Sequence, residues 1–174
     1  MDLHTRFPTG GEAELEEVIA LYGEKLARYA ASILYNVHDA EDVVQDVFVY
    51  AYQNRSRFSG DNLSAWLHKI TYHDCLDKLK AQKRRALLPL FNTKKDAYHM
   101  EDTLALSDMD AALKNLTPKE RALLYGRVIG GFSYEELAQI LGGTQSSLRK
   151  QYERAKKKAA TSLEEARYDI KTAD

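Results

Sequence analysis

Two adjacent glycines, Gly142 and Gly143, interrupt a strongly helical pattern between residues 134 and 154. Glycine is favoured at helix ends because it adopts left-handed backbone angles without a steric cost. Apolar residues recur at helical spacing on both sides of the pair: Leu137, Ala138, Ile140 and Leu141 before it, and Leu148, Tyr152, Ala155 and Ala159 after it. The pattern predicts two helices joined by a tight turn, which is a helix-turn-helix.

The second of these predicted helices carries a basic face. Thr144 is placed to cap its N-terminus, and residues 144–158 contain six bases and one acid, a net charge of +5. If Leu148 faces the core, a turn of about 100° per residue directs one set of polar and basic residues outward: Ser146, Arg149, Lys150, Arg154 and Lys157. Such a helix can enter the major groove of DNA. A helical hairpin with a solvated basic face is the alternative interpretation.

The other periodic segments also predict helices, and no segment alternates in polarity as a strand does. These helices cover residues 12–35, 40–57, 64–85, 108–115 and 118–129. The apolar stripe of the first consists of Leu15, Val18, Ile19, Tyr22, Leu26, Tyr29, Ile33 and Leu34. The predicted N-cap residues are Asp39 with Asp42 in the third helical position, Thr117 before Pro118, and Ser133 with Glu136.

The predicted helices form two groups separated by a segment without a clear period. Residues 86–107 contain Pro89 and are of mixed polarity, so they are predicted to be a linker. The predicted fold class is all-α. It consists of a domain of three or four helices over residues 1–85 and a helix-turn-helix domain over residues 108–174.

The net charge of −1 hides a sorting of charge along the chain. Residues 1–52 hold ten acids and three bases, whereas residues 66–95 hold eight bases and two acids. This asymmetry suggests a protein that bridges a basic partner and a nucleic acid. Cys75 is the single cysteine, which excludes an internal disulfide. Because no apolar run is long enough for a membrane span and no signal-peptide pattern occurs, we expect a soluble cytoplasmic protein.

The helix predicted over residues 40–57 has a face that packing does not require. Its core-facing stripe is Val44, Val47, Phe48 and Ala51. The opposite side carries Asp42, Gln45, Asp46, Val49 and Gln53. A single exposed valine is ordinary on a monomer. The alternative is that this face docks a basic helical partner.

Three segments carry a resemblance to a known family. They are DAEDVVQDVFVYAY, RFSGDNLSAWLHKITYHDCLDKLKAQKRR and LKNLTPKERALLYGRVIGGFSYEELAQILGGTQSSLRKQYERAKKKA. The chain resembles the sigma-70 family of bacterial transcription initiation factors, and within it the small extracytoplasmic-function group, which retains two conserved regions. Residues 12–85 resemble region 2 and residues 108–166 resemble region 4. The resemblance implies an alternative sigma factor that directs promoter-specific initiation.

The resemblance also implies partners. In the family, the helix that matches residues 39–54 binds the clamp helices of the largest subunit of core RNA polymerase. That contact is thereby assigned to Asp42, Gln45, Asp46 and Val49. The polymerase β flap is a second implied contact, and family members are commonly held inactive by an anti-sigma factor. No cofactor, metal or small-molecule substrate is implied.

Two sets of residues are assigned to promoter DNA by the same resemblance. The loop and helix that melt the minus-10 element in the family match Gly60, Asp61, Asn62, Leu63, Trp66, Lys69, Tyr72, His73, Lys80, Lys83, Arg84 and Arg85. Extruded bases suit an aromatic or apolar pocket, and a displaced strand suits a cationic track. The family's recognition helix, which reads the minus-35 element as duplex, matches Thr144, Gln145, Ser146, Ser147, Arg149, Lys150 and Arg154. Arginine and glutamine can contact guanine and adenine through two hydrogen bonds.

Three other functions share part of these features. His73 and Asp74 are half of a metal-dependent hydrolase pattern, but the other histidines lack acids at ligand spacing, so we predict no catalytic or metal site. A helix-turn-helix regulator of another class would share residues 108–166 but should carry a sensor domain, typically with strands. A helical scaffold protein would use the acidic face without promoter activity.

Overall fold

The computed structural model describes residues 2–59, 62–87 and 111–172. Every element in these ranges is helical, which confirms the predicted all-α class. The chain divides into two compact units, Met1–Ala97 and Tyr98–Asp174. Residues 88–107 of the predicted linker lie outside the described ranges, so the linker boundaries remain a prediction.

Three long helices form the N-terminal unit. Its elements in chain order are α1 (Leu3–Arg6), a 3-10 turn (Phe7–Thr9), α2 (Glu12–Leu34), α3 (Val37–Gln53), a second 3-10 turn (Arg55–Arg57) and α4 (Leu63–Ala86). Helices α2, α3 and α4 pack against one another. The predicted α3 stripe of Val44, Val47, Phe48 and Ala51 is buried in this core, as expected from its helical spacing.

The start of α3 differs from the prediction. Asp39 was the expected cap, but α3 begins at Val37 and is capped by Asn36, whose side chain accepts a hydrogen bond from the Asp39 amide at 3.0 Å. The placement of Asp42 in the third helical position is therefore wrong, and Asp39 occupies that position. The reason is that Tyr35, in the left-handed conformation with φ 59°, ends α2. Only Tyr35 and Asn36 separate the two helices, so Asn36 is the residue placed to cap α3. The predicted end near Arg57 is also wrong, since α3 stops at Gln53 and residues 55–57 form a 3-10 turn.

The C-terminal unit contains the predicted helix-turn-helix. Residues 111–113 are helical, within the helix predicted over 108–115, whose first three residues lie outside the described ranges. The helices that follow are α5 (Pro118–Val128), α6 (Tyr134–Leu141) and α7 (Gln145–Thr172). The capping boxes that begin at Thr117 and Ser133 are present, and the Thr144 hydroxyl accepts a hydrogen bond from the Ser147 amide at 3.2 Å. These caps fix the starts of all three helices.

The turn between α6 and α7 depends on glycine. Gly142 has φ 73° and ψ 165°, backbone angles that residues other than glycine rarely adopt. Gly143 also has a positive φ, 96°. A Cβ atom at either position would meet no atom within 4 Å. The requirement for glycine is therefore conformational and does not come from close packing.

We expect Gly142→Ala to lower the free energy of unfolding by about 1–2 kcal/mol, because alanine must be forced into a left-handed backbone conformation. Gly23→Ala is the matched control. Gly23 lies inside α2, where a Cβ would make ordinary contacts at 3.9 Å, so alanine should stabilise the protein by roughly 0.5–1 kcal/mol. Chemical denaturation of both variants measures the two changes. Equal effects of the same sign would contradict the conformational explanation.

Candidate functional surfaces

The outer face of α3 is exposed, as predicted. Gln45, Asp46 and Val49 all face solvent, and the Val49 side chain is 56% exposed beside the two polar residues. Burial of Asp74 on α4, together with repulsion from Asp46 and Asp77, raises the pKa of the Asp74 carboxyl. The polar face therefore extends from α3 onto the neighbouring surface of α4.

Asp42 is exposed, but it belongs to an ion-pair cluster that joins α3 to α4. The Lys78 ammonium lies 3.0 Å from a carboxylate oxygen of Asp42 and 3.0 Å from one of Asp39, and Gln82 donates a hydrogen bond to Asp39 at 2.8 Å. Burial lowers the pKa of Lys78, but the hydrogen bonds that its ammonium donates to Asp39 and Asp42, together with their negative charges, outweigh burial and raise the pKa overall. Part of the charge of Asp42 is thus neutralised within the protein.

An apolar groove lies beside this polar face. It runs between α2 and α3, has a volume of about 540 Å³, and is lined by Leu15, Ile19, Gly23, Val44, Gln45, Phe48, Val49, Tyr52 and Gln53. The sequence pattern placed Ile19 in the core stripe of α2, but its side chain is 42% exposed at the groove. The reason is that α3 and α4 cover a narrower strip of α2 than its apolar residues span. In the sequence, the width of the apolar stripe of α2 was the signal that could have predicted the groove.

Helix α4 begins at Leu63, within the segment that was predicted to be a loop. Leu63 was assigned to the loop, but it is the first residue of α4 and is fully buried, and Asn62 caps the helix by accepting a hydrogen bond from the Ala65 amide at 2.9 Å. The assignment of Leu63 to a base-contacting loop is therefore wrong for this structure. Gly60 and Asp61 lie outside the described residues.

Aromatic residues support the first turns of α4. Trp66 is partly exposed, and its ring centroid lies 5.4 Å from that of Phe58 and 6.4 Å from that of Phe7. Tyr72 was predicted to face DNA, but it is 5% exposed and packs in the core. The structure thus leaves Trp66 as the large aromatic side chain with a surface on this part of the helix.

A row of polar and basic side chains follows along α4. Lys69, His73, Lys80, Lys83, Arg84 and Arg85 are all exposed, as predicted. The ammonium group of Lys80 lies 2.9 Å from the carboxylate of Asp77 on the same helix. The last turn carries three consecutive bases, Lys83 to Arg85, next to the helix C-terminus, where the helix dipole favours positive charge. This end of α4 suits a polyanion.

The first turns of α7 present the predicted recognition set to solvent. Thr144, Gln145, Ser146, Ser147, Arg149, Lys150 and Arg154 are all exposed, while Leu148 and Ala155 anchor the helix in the core. Further along, Lys156 pairs with Glu153 at 3.1 Å and Lys158 pairs with Glu120 of α5 at 2.7 Å. The basic face therefore divides into an N-terminal part able to reach a groove floor and a later part committed in part to ion pairs.

Sequence reasoning missed the residues that hold Arg149. The Arg149 guanidinium carbon lies 5.2 Å from the ring centroid of Tyr134 on α6, and that of Arg127 on α5 lies 5.0 Å from the same centroid. Tyr152 meets the Tyr134 ring edge-on at 6.2 Å. Cation–π contacts of this kind orient a guanidinium. The aromatic residue at the first position of α6 was the available signal.

We expect Tyr134→Leu to weaken the affinity of the protein for a DNA duplex that carries the minus-35 element by about two- to fivefold. This is the effect of losing a partly exposed cation–π contact. Tyr134→Phe keeps the ring and should bind as the parent does. Fluorescence anisotropy with the duplex measures both variants. If leucine binds as tightly as phenylalanine, the ring does not orient Arg149.

The described residues include no group of three or more side chains arranged to hold a metal ion. Among the described helices, none combines the length and apolar character needed to cross a membrane. With its capped turn and exposed basic helix, the C-terminal unit defines a DNA-binding protein of the helix-turn-helix class.

Two family models match the chain, one in each unit. Residues 18–85 match Sigma-70 region 2, and residues 106–158 match Sigma-70, region 4. The chain belongs to the sigma-70 family, in its extracytoplasmic-function (ECF) group. This confirms the resemblance that the sequence motifs carried.

Relatives and solved structures agree with this membership. The chain is 26% identical to the ECF RNA polymerase sigma factor SigE of Mycolicibacterium smegmatis, over 85% of this chain and 62% of SigE, and 26% identical to SigM of Mycobacterium tuberculosis, over 88% and 79%. It therefore spans less than two thirds of SigE. Among solved structures, RpoE of Bartonella quintana, bound to the anti-sigma factor NepR, is 27% identical with a TM-score of 0.73, over 86% of this chain and 96% of that one. CnrH, bound to the cytosolic domain of CnrY, is 25% identical with a TM-score of 0.70, over 93% and 95%.

Proposed function

We propose that this protein is an alternative sigma factor that binds core RNA polymerase and directs initiation at promoters with defined minus-10 and minus-35 elements. The observation that carries the proposal is the presence in one chain of both sigma regions, each with an exposed surface of suitable chemistry. Region 2 offers the α3 face, and region 4 offers the basic start of α7. Neither region needs a catalytic group for this role, and the protein is proposed to be no enzyme.

Core polymerase is proposed to bind along α3. Gln45, Asp46 and Val49, with a smaller contribution from the ion-paired Asp42, would meet the clamp helices of the largest subunit. Acidic groups around an exposed apolar side chain complement a basic helical pair, because charge steers the encounter and the apolar contact is buried afterwards. The polymerase β flap is proposed as a second contact, made by the C-terminal unit.

Promoter DNA is proposed to contact both units. At the minus-10 element, Trp66 would stack on an unpaired base, while Lys69, His73, Lys80 and the bases at the end of α4 would follow the displaced strand. Gly60, Asp61 and Asn62 would shape the adjoining loop. At the minus-35 element, α7 would enter the major groove, and base edges would be contacted by Gln145, Arg149 and Lys150 in its first two turns.

An anti-sigma factor is proposed as the inhibitor. CnrH and RpoE of Bartonella quintana, both similar to this chain over most of its length, were solved in complex with CnrY and NepR. The apolar groove and the α3 face offer an inhibitor the same surface that core polymerase would use, so the two partners would exclude each other. We place this equilibrium in the cytoplasm, with the polymerase and the chromosome.

Start-site mapping tests the proposed function. Core polymerase from the source organism transcribes fragmented genomic DNA with and without the protein, and the 5′ ends of the transcripts are sequenced. The proposal expects new start sites preceded by two shared sequence elements at a fixed spacing. A helix-turn-helix regulator of another class would bind DNA without creating start sites on core polymerase, and a scaffold would do neither. Either result would refute the proposal.

A further inference from the structure

The segment before the region 2 match is part of the folded unit. The family model begins at residue 18, yet Phe7 is fully buried and Leu3 is 5% exposed. Residues 3–10, named here the N-terminal brace, form α1 and the first 3-10 turn. Two apolar side chains of this segment are therefore packed into the unit, and its contacts identify what it supports.

Hydrogen bonds join the brace to both ends of the connection between α3 and α4. At the start of the connection, the Arg55 Nε atom donates to the carbonyl oxygen of Gly10 at 2.8 Å. At its end, the Leu63 amide donates to the Nδ1 atom of His4 at 3.2 Å. Arg55 is itself fixed, because its Nη1 donates to the Tyr52 carbonyl at 2.6 Å. The brace thus spans the connection and holds its two ends.

His4 completes the N-terminus of α4. The first amides of a helix have no partner within the helix, and a buried donor left unsatisfied is costly. Asn62 satisfies the Ala65 amide, and His4 satisfies the amide of Leu63, whose side chain is fully buried. A residue 59 positions earlier therefore supplies part of the cap of α4.

The brace also contacts the ring of Trp66. Phe7 meets the Trp66 ring edge-on with 6.4 Å between ring centroids. The ring of Phe58, which follows the 3-10 turn of the same connection, lies 5.4 Å from that of Trp66. Edge-to-face contacts restrict the plane of a ring. Displacement of Phe7 would therefore change the orientation of the one aromatic surface available on the first turns of α4.

We propose that the N-terminal brace positions the start of α4 and Trp66 for promoter opening, with His4 as a positioning residue. The inference rests on the proposed function, because it assumes that Trp66 stacks on a minus-10 base. The new element is that strand opening depends on residues 3–10, which lie before the region 2 match at residues 18–85. Core binding and recognition of the upstream duplex, which use α3 and α7, should not depend on the brace.

The test compares His4→Leu with His4→Asn in the full chain assembled with core polymerase. Leucine removes the acceptor, whereas the Asn Oδ1 atom replaces His Nδ1 as an acceptor for the Leu63 amide. Permanganate reactivity of minus-10 thymines measures opening, and co-elution with core polymerase and affinity for the upstream duplex are measured in parallel. We expect His4→Leu to reduce opening about fivefold or more and His4→Asn to stay within about twofold of the parent.

Two controls separate positioning from stability. His38→Leu removes an exposed histidine that pairs with Glu41 and should open promoters normally. Arg55→Met keeps the apolar stem but removes the donor to the Gly10 carbonyl. It should reproduce the selective loss of opening even if His4→Leu does not fold. The brace is overturned if folded His4→Leu and folded Arg55→Met open promoters normally, or if they lose core binding to the same extent as opening, while the parent still opens promoters. If the parent opens none, the proposed function has failed first and the inference fails with it.

Discussion

The variant with Gln45→Ala, Asp46→Lys and Val49→Ala is expected to lose core polymerase affinity by about 100-fold, which corresponds to about 3 kcal/mol. All three side chains are exposed on α3 and oppose its buried stripe, so the fold should survive. Reversing the charge of Asp46 places like charges against a basic partner, and truncating Val49 removes the apolar contact beside it. The measurement is equilibrium binding to core polymerase, with helical circular dichroism on the same samples.

Asp42 is left unchanged in this variant for a structural reason. Its carboxylate pairs with Lys78, so its replacement would also disturb the α3–α4 ion-pair cluster. Glu24→Lys is the matched control, since it makes the same charge change at an exposed site on α2. It should bind core polymerase within about threefold of the parent, because the exposed pair of Glu24 with Arg28 contributes little. Parent-like binding by the folded triple variant would remove the α3 face from the polymerase contact.

Arg149→Ala is expected to weaken binding to the minus-35 duplex by about 1–3 kcal/mol and to abolish preference at one base pair. The guanidinium is exposed one turn after Thr144 and lies over the Tyr134 ring, so on the proposed function it would enter the groove in a defined direction. Lys157→Ala is the comparison. Lys157 is exposed two turns later, where the helix would meet backbone phosphates. Its loss should weaken binding to all sequences evenly and reduce the salt dependence.

Binding of each variant to every single-base substitution of the element, at two salt concentrations, distinguishes the two roles. The expected pattern is a specific loss for Arg149→Ala and a uniform loss for Lys157→Ala. A uniform loss for Arg149→Ala would show that it is a phosphate anchor, and a specific loss for Lys150→Ala would move the base contact one residue along the helix.

Much of the fold was predictable because helical periodicity and caps act locally. The buried stripe of α3 follows from spacing alone, and the capping boxes at Thr117 and Ser133 need residues three positions apart. The predicted start of α3 was wrong because Asn36 and Asp39 are both suitable N-cap residues, and the position at which α2 ends decides between them. No property of the two residues themselves gives that answer.

The surfaces were less predictable because they depend on contacts between distant residues. Whether Ile19 is buried depends on how much of α2 the neighbouring helices cover. The pairing of Asp42 with Lys78 and that of His4 with Leu63 join residues 36 and 59 positions apart. Periodicity describes one helix at a time, so it identified which side chains were exposed on α3 and α7 but not which of them were already engaged within the protein.

Run-off transcription from a single mapped promoter tests the central claim most directly. Core polymerase is supplied with the parent protein or with the α3 triple variant, on templates that carry the intact promoter, a scrambled minus-10 element or a scrambled minus-35 element. The predicted result is a defined transcript from the intact template with the parent protein and its loss in each of the other combinations. A transcript that persists with either element scrambled, or the absence of any transcript from the parent protein bound to core polymerase, would contradict the account.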